Sequence, residues 1–220
     1  MKHQLPQEAA IERIGCVWSQ CVVDLVTLQT AFTAVLFLIV AMPGICDETQ
    51  PPLKSGPEVG STVVSFYVRA VTGPFAGKSV CYVCRNGDRP VVIVFLREIG
   101  PDATRLLKQL DATVNLHRAE GLRCFVVLFS EASQRDSARL QTLAFDEKLD
   151  IPLTLATETL SGAMTKNIAP NVVATVVLYE HLKVIDQFSY RPGECDEAAC
   201  NAVTTAAKQL ATGSPAKRPE

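Results

Sequence analysis

The sequence lacks any marked excess of charge of one sign. Its 21 lysines and arginines are set against 23 aspartates and glutamates, so the formal net charge at pH 7 is −2. Domains that bind nucleic acids usually carry a clear basic excess, because the phosphate backbone is a polyanion. The near balance of charges therefore argues against nucleic acid as a partner.

Histidine is also scarce, and the common signatures of hydrolases and nucleotide-binding proteins are missing. His117 and His181 have no partner at metal-ligand or triad spacing, and no G-x-S-x-G motif is present. Residues 73–79 (GPFAGKS) resemble a phosphate-binding P-loop, but three residues separate the glycines instead of four, and a strand follows instead of a helix. Neither a nucleotide nor another cofactor is expected.

The first 46 residues differ from the rest of the chain. Residues 25–45 contain no charged side chain, and the run 31–42 has the length of the apolar region of a signal peptide. Alternatively, these 21 uncharged residues form an uncleaved anchor, since they can just span a bilayer. Residues 1–46 are thus predicted to be a signal peptide or a membrane anchor, and the protein is predicted to be exported to the periplasm or extracellular space.

The remainder has the composition of one globular domain between two polar ends. Of the 220 residues in the chain, 48% are hydrophobic and 20% are charged, which suffices for one hydrophobic core. Residues 47–58 are polar and proline-rich and are predicted to be a linker. The domain is predicted over residues 59–211, and residues 212–220 are predicted to be a disordered tail.

The pattern of apolar residues predicts the secondary structure of this domain. Residues 63–71 and 78–83 read as strands joined by a Gly/Pro turn, which predicts a β-hairpin. Residues 91–96 (VVIVFL) form a continuous apolar run, the pattern of a central strand that is buried on both faces of a parallel sheet. Further along, we predict helices at 103–118, 133–149 and 196–210, strands at 124–129 and 151–156, and a second hairpin made of 172–179 and 183–188.

This order of elements resembles the thioredoxin fold with the N-terminal hairpin found in peroxiredoxins, over residues 59–211. More closely, residues 65–74 (SFYVRAVTGP) and 80–92 (VCYVCRNGDRPVV) resemble an uncharacterised family of exported bacterial thioredoxin-like proteins. The resemblance implies an α/β fold, a thioredoxin-like three-layer sandwich with an N-terminal β-hairpin. It brings no established activity with it.

The sequence departs from the thioredoxin pattern at the usual active site. In thioredoxins and peroxiredoxins the reactive cysteine follows the central strand and opens the next helix. Here residues 97–104 (REIGPDAT) contain no cysteine, and Ala174 stands where the cis-proline of the fold is expected. Thioredoxin chemistry at the usual site is therefore not expected.

Cys81 and Cys84 instead precede the central strand, and three interpretations of this C-x-x-C pair stay open. The pair could be a redox-active or labile disulfide, with Arg85 and Arg89 lowering the thiol pKa and favouring attack. It could be a structural disulfide of an exported protein. It could also be half of a zinc site that is completed by two later cysteines, Cys195 and Cys200.

The later cysteines permit fewer roles. Cys124 lies inside an apolar strand and is interpreted as an inert, buried side chain. Cys195 and Cys200 flank the start of the last predicted helix, so a bridge between them requires Cys195 to lie outside that helix. Cys195 is a weaker candidate for a reactive thiol.

Two functions are compatible with these features. The first is an exported thiol–disulfide oxidoreductase or peroxiredoxin-like enzyme that uses Cys81 and Cys84 on protein thiols or a redox partner. The second is a non-catalytic thioredoxin-like module that binds or scaffolds. Only the N-terminal segment is expected to contact a membrane, and fold alone does not choose between the two functions.

Overall fold

The computed structural model describes residues 53–129, 133–156 and 167–213. The predicted signal peptide or anchor, the first part of the predicted linker and nearly all of the predicted tail lie outside these ranges. Within them, no helix combines the length and the apolar character needed to cross a membrane.

The domain is one mixed seven-stranded sheet with helices, an α/β fold. In chain order the elements are β1 (Val68–Ala70), β2 (Ser79–Val80), α1 (Tyr82–Asn86), β3 (Val91–Leu96), α2 (Pro101–Leu116), β4 (Arg123–Leu128), α3 (Ser133–Glu147), β5 (Leu153–Ala156), β6 (Ala174–Glu180), β7 (Lys183–Tyr190) and α4 (Glu197–Thr212). The strand order across the sheet is β2-β1-β5-β4-β3-β6-β7. Both predicted hairpins are present, β1 with β2 and β6 with β7.

The predicted central strand is confirmed. Strand β3 pairs in parallel with β4 on one side and antiparallel with β6 on the other, and β4 continues in parallel to β5. All six residues of β3 are buried, because both faces of the sheet are covered. Successive side chains of a strand point to opposite faces, so β3 contributes to two separate apolar clusters.

The three long helices cover one face of the sheet. Leucines of α2 spaced three and four apart, with Leu140 of α3 and Val203 of α4, pack in the same cluster as Val92 and Val94. The opposite face is covered, within the described ranges, by the short helix α1 and by the segment before β1, whose Phe66 contacts Phe95 and Phe125. This second face is the one that carries the C-x-x-C pair.

The largest difference from the predicted elements lies at that pair. Residues 78–83 were expected to be a strand, but β2 ends at Val80 and residues 82–86 are helical. A fully extended chain would separate the Cα atoms of residues three apart by about 10 Å, which is too far for a disulfide. The observed Cα separation of Cys81 and Cys84 is 5.4 Å, and the two cysteines are bonded. Closing this bridge therefore requires the chain to leave the extended conformation after β2, and here it forms a helical turn.

The predicted linker is also shorter than expected, because its last residues pack on the sheet. Ser55 is 1% exposed, and its hydroxyl lies 2.7 Å from that of Thr175 in β6. Gly56 has a φ of +102°, and a Cβ there would lie 3.1 Å from side-chain atoms of Gln187 and Thr175. A glycine therefore suits this close approach, and the domain extends N-terminally beyond the predicted boundary at Val59, at least to Leu53.

Candidate functional site

The candidate site is the disulfide between Cys81 and Cys84, which closes the first turn of α1. Cys81 is the N-cap residue, and its Sγ accepts a hydrogen bond from the backbone N–H of Cys84 at 3.1 Å. Only 6% of Cys81 is exposed, whereas Cys84 is exposed. Of the two cysteines, Cys84 is thus the one that an incoming thiol can reach.

Cys81 directly follows β2, whose last residue Val80 is level, through Val68 of β1, with Ala156 at the end of β5. Because β2 and β5 run in the same direction as β3, α1 and a four-residue connection then lead the chain back to the start of β3. The usual thioredoxin site would lie where β3 ends and α2 begins. The expectation that the pair belongs to the opposite end of the sheet from that site stays a prediction.

At the end of β3, where thioredoxins carry their active site, Arg97 connects the strand to the segment before β6. The Arg97 guanidinium donates to the carbonyl oxygens of Ile168 and Ala169 at 2.9 and 3.1 Å, and it lies 5.1 Å from the centroid of the Phe129 ring. No described residue of this loop is a cysteine, and no peptide bond within the described ranges is cis. The contacts of Arg97 therefore help to fix the end of β3.

Helix α1 also lines a cavity of about 260 Å³. Arg85 and Arg89, both singled out in the sequence, lie on its wall, and the Arg85 guanidinium is 4.0 Å from the centroid of the Phe75 ring. The structure thus brings both predicted supporting arginines to one cavity, which neither Cys81 nor Cys84 lines, and it stacks Arg85 on an aromatic ring.

Two further arginines of this cavity were missed by the sequence analysis. Arg118 follows α2 and Arg123 opens β4, and both line the cavity with Arg85 and Arg89. About 30 residues separate the two groups of arginines in the sequence, and no local pattern connects them. The signal that could have found them is topological, because β3 and β4 are parallel neighbours whose first residues lie side by side.

Cys195 and Cys200 form a second, enclosed pair. Cys195 precedes the N-cap residue Asp196 of α4, so it lies outside the helix as a bridge would require, and the two Sγ atoms are 4.0 Å apart. Both side chains are fully buried, and burial raises the pKa of the Cys195 thiol to about 12. A buried, protonated thiol reacts slowly, so the geometry suits a bridge better than a reactive Cys195.

The zinc-site interpretation requires Cys81, Cys84, Cys195 and Cys200 to converge, and they do not. Cys81 belongs to the apolar cluster on the α1 face of the sheet, whereas Cys195 and Cys200 belong to the cluster under the three long helices on the other face. Across the described ranges, no three His, Cys, Asp or Glu side chains come together as metal ligands. The two pairs cannot share a metal ion.

Cys124 is a buried residue of β4, as its apolar surroundings predicted. Burial is the main cause that raises the pKa of its thiol, with a smaller contribution from the charge of Asp111. Cys124 also lines the arginine cavity. Because its thiol stays protonated, it is a poor nucleophile there.

Comparison with known proteins identifies the fold. No protein-family model and no curated protein matches the chain. Among solved structures, an uncharacterized conserved protein from Geobacillus kaustophilus is 17% identical with a TM-score of 0.60, and the match covers 78% of this chain and 92% of that chain. The thioredoxin domain of a thiol-disulfide oxidoreductase from Bacteroides vulgatus is 13% identical with a TM-score of 0.52, covering 69% of this chain and 99% of that chain.

A thiol:disulfide interchange protein of the thioredoxin family from Chlorobium tepidum is also 13% identical, with a TM-score of 0.51 and coverage of 69% and 99%. These likenesses confirm the predicted thioredoxin-like fold. At such low identity they show the fold alone. The closer resemblance of the Cys81–Cys84 segment to exported bacterial proteins stays a prediction.

Proposed function

We propose that this protein is an exported thiol–disulfide oxidoreductase whose reacting bond is the disulfide between Cys81 and Cys84. One observation carries the proposal: the bridge closes a short helical turn with Cys84 exposed and Cys81 nearly buried. Such a pair provides one sulfur that a substrate can reach and one that can resolve the resulting mixed disulfide.

The exchange needs no group besides the two cysteines and a substrate thiol. A substrate thiolate attacks Sγ of Cys84, the bond to Cys81 breaks, and Cys81 leaves as a thiolate that takes up a proton from water. A second substrate thiolate then attacks the substrate sulfur of the mixed disulfide and releases Cys84. Two substrate thiols become one disulfide, and the protein gains two electrons and two protons. The reverse sequence reduces a substrate disulfide.

The alternative function, a binding or scaffolding module with a structural bridge, is also supported by a specific observation. Cys81 caps the five-residue helix α1, and the bridge holds that turn closed. So short a loop restricts the unfolded chain only modestly. The two functions therefore differ in whether the bridge exchanges electrons with a thiol buffer.

The full-length protein will be equilibrated with glutathione buffers of graded redox potential, quenched with acid, alkylated and mapped by peptide mass. We expect Cys81 and Cys84 to change together in one two-electron transition above about −300 mV, the range of labile disulfides. The Cys124 peptide serves as the internal control and should not form a disulfide at any ratio. A bridge that stays fully oxidised down to the most reducing buffer would leave the binding module as the better account.

Export is part of the proposed function and rests on the uncharged segment 25–45 and the polar residues after it. We expect protein isolated from its native host to be found outside the cytoplasm, either without residues 1–46 or attached to a membrane through them. Cell fractionation followed by intact-mass measurement tests this. A cytosolic species that retains residues 1–46 would contradict it.

A further inference from the structure

The cavity beside α1 brings together four arginines from four parts of the chain. Arg85 lies on α1, Arg89 on the connection into β3, Arg118 after α2 and Arg123 at the start of β4. Its volume of about 260 Å³ is small for a ligand site, since drug-sized ligands usually occupy about 300–1,000 Å³. The size favours a small molecule.

Within the described ranges, no carboxylate forms an ion pair with any of these four arginines; every recorded ion pair involves other residues. One carboxylate, that of Asp150, lines the cavity, and it accepts a hydrogen bond from Asn115 Nδ2 at 3.0 Å. Four arginines therefore line the cavity with one carboxylate. Like charges around one small cavity repel one another, and an anion bound between them relieves that repulsion.

Two of the four guanidinium groups, those of Arg118 and Arg123, are held in place by neutral partners. Arg123 Nη1 donates to the carbonyl oxygens of Arg118 and Leu122 at 3.0 and 2.7 Å, and Arg118 Nη2 donates to Asn115 Oδ1 at 2.6 Å. A guanidinium has five N–H donors, so these bonds leave several donors for a ligand. Burial and the neighbouring charges of Arg89 and Arg118 lower the pKa of Arg123, as expected for cations that face one another.

The hydroxyl of Tyr82, which lines the same cavity, is a second observation that favours a bound ligand, and it does not depend on the charges. Tyr82 lines the cavity and is 6% exposed, and its hydroxyl has no hydrogen-bond partner among the described residues. Its ring stacks on Phe125 with centroids 5.1 Å apart, so the side chain is held in position. Burial raises the pKa of this hydroxyl, which therefore stays protonated and can donate to a ligand oxygen.

The rest of the lining is apolar and includes Phe75, Val114, Ile151 and Pro152. We propose that this cavity binds a small organic molecule carrying at least two acidic groups, carboxylates or phosphates, whose carbon atoms pack on these apolar side chains. Arg forks bind both kinds of acidic group in pairs of parallel hydrogen bonds. Because Tyr82 and Arg85 share α1 with the disulfide, the cavity would hold the acidic substituents of a low-molecular-weight disulfide substrate; this last step rests on the proposed function.

Calorimetric titration of the full chain with glutarate, inorganic pyrophosphate and the neutral isostere glutaramide tests the proposal. We expect binding of at least one dianion, weakened by added salt, and no binding of glutaramide. A tighter complex with glutarate would identify carboxylates as the acidic groups, and a tighter complex with pyrophosphate would identify phosphates. Absence of binding by both dianions, or equal binding of glutaramide, would overturn the proposal.

The variant Arg89→Gln/Arg118→Gln removes two exposed arginines of the cavity and should still fold, because neither side chain is buried. We expect its affinity for the dianion to fall at least tenfold. Arg135→Gln is the matched control, since Arg135 is an exposed arginine in the first turn of α3 and does not line the cavity. An unchanged affinity of the double variant, or an equal loss in the control, would overturn the proposal.

Two separate measurements on the wild-type protein distinguish this proposal from the redox function. The dianions are titrated into the oxidised protein, whose bridge keeps α1 and its cavity residues Tyr82 and Arg85 in place, and the exchange of the bridge is measured in glutathione buffers. If dianions bind and the disulfide proves inert to glutathione, the cavity proposal stands and the oxidoreductase proposal fails. If the disulfide exchanges and no dianion binds, the reverse holds.

Discussion

Val94→Asp is expected to leave no cooperatively folded domain. Val94 is fully buried in β3, where it is paired with Val126 of β4 and Val176 of β6. A carboxylate there would lie in the apolar cluster under the three long helices, within which no cationic side chain is buried. Burying an unpaired charge costs several kcal/mol, about as much as the whole free energy of unfolding of an ordinary domain.

Urea unfolding followed by far-UV circular dichroism measures this effect. Val64→Asp is the matched control: Val64 is 47% exposed, so the same substitution there should change the free energy of unfolding by less than about 0.5 kcal/mol. If Val94→Asp is soluble and unfolds cooperatively with a free energy near that of the wild type, β3 is not the buried central strand.

The two single cysteine variants are expected to behave differently from each other. Cys84→Ser should lower the rate of disulfide exchange at least about 100-fold, because the remaining Cys81 is almost completely enclosed. Cys81→Ser should instead accumulate a stable mixed disulfide through the exposed Cys84, since the residue that resolves it is gone. Intact-mass analysis after incubation with glutathione disulfide distinguishes the two outcomes.

Cys124→Ser is the control for these variants and should react as the wild type does, since Cys124 is buried and its thiol is protonated. Equal formation of mixed disulfide by Cys81→Ser and Cys84→Ser would show that exposure does not select the attacked sulfur. If neither variant forms one while both are less stable than the wild type, the bridge is structural.

Structural features that depend only on residues close together in the sequence could be predicted from it. The run VVIVFL identified the central strand, because a strand buried on both faces needs apolar side chains at every position. The three long helices and the two hairpins follow from apolar spacing and from turn residues in the same way. Asp196 caps α4 by accepting the N–H of Ala199, an interaction that spans only three residues.

The structure differs from the predicted secondary structure where a disulfide bond is incompatible with the strand that the apolar pattern predicts. Residues 78–83 have the apolar character of a strand, yet the Cys81–Cys84 bridge requires a turn, and α1 forms in place of the strand's end. Likewise, residues 53–57 read as a linker because they are polar and proline-rich. Ser55 nevertheless finds its partners more than 100 residues away, in Thr175 and in the N–H of Ala169.

The candidate site was only partly visible in the sequence. Its cysteines and two of its arginines lie within nine residues, so their spacing could be read directly. Arg118 and Arg123 come from the end of another helix and the start of another strand, and they meet Arg85 and Arg89 only because β3 and β4 pair in parallel. Local spacing therefore determined which residues could react, whereas strand pairing, which joins distant residues through backbone hydrogen bonds, decided which charges surround them.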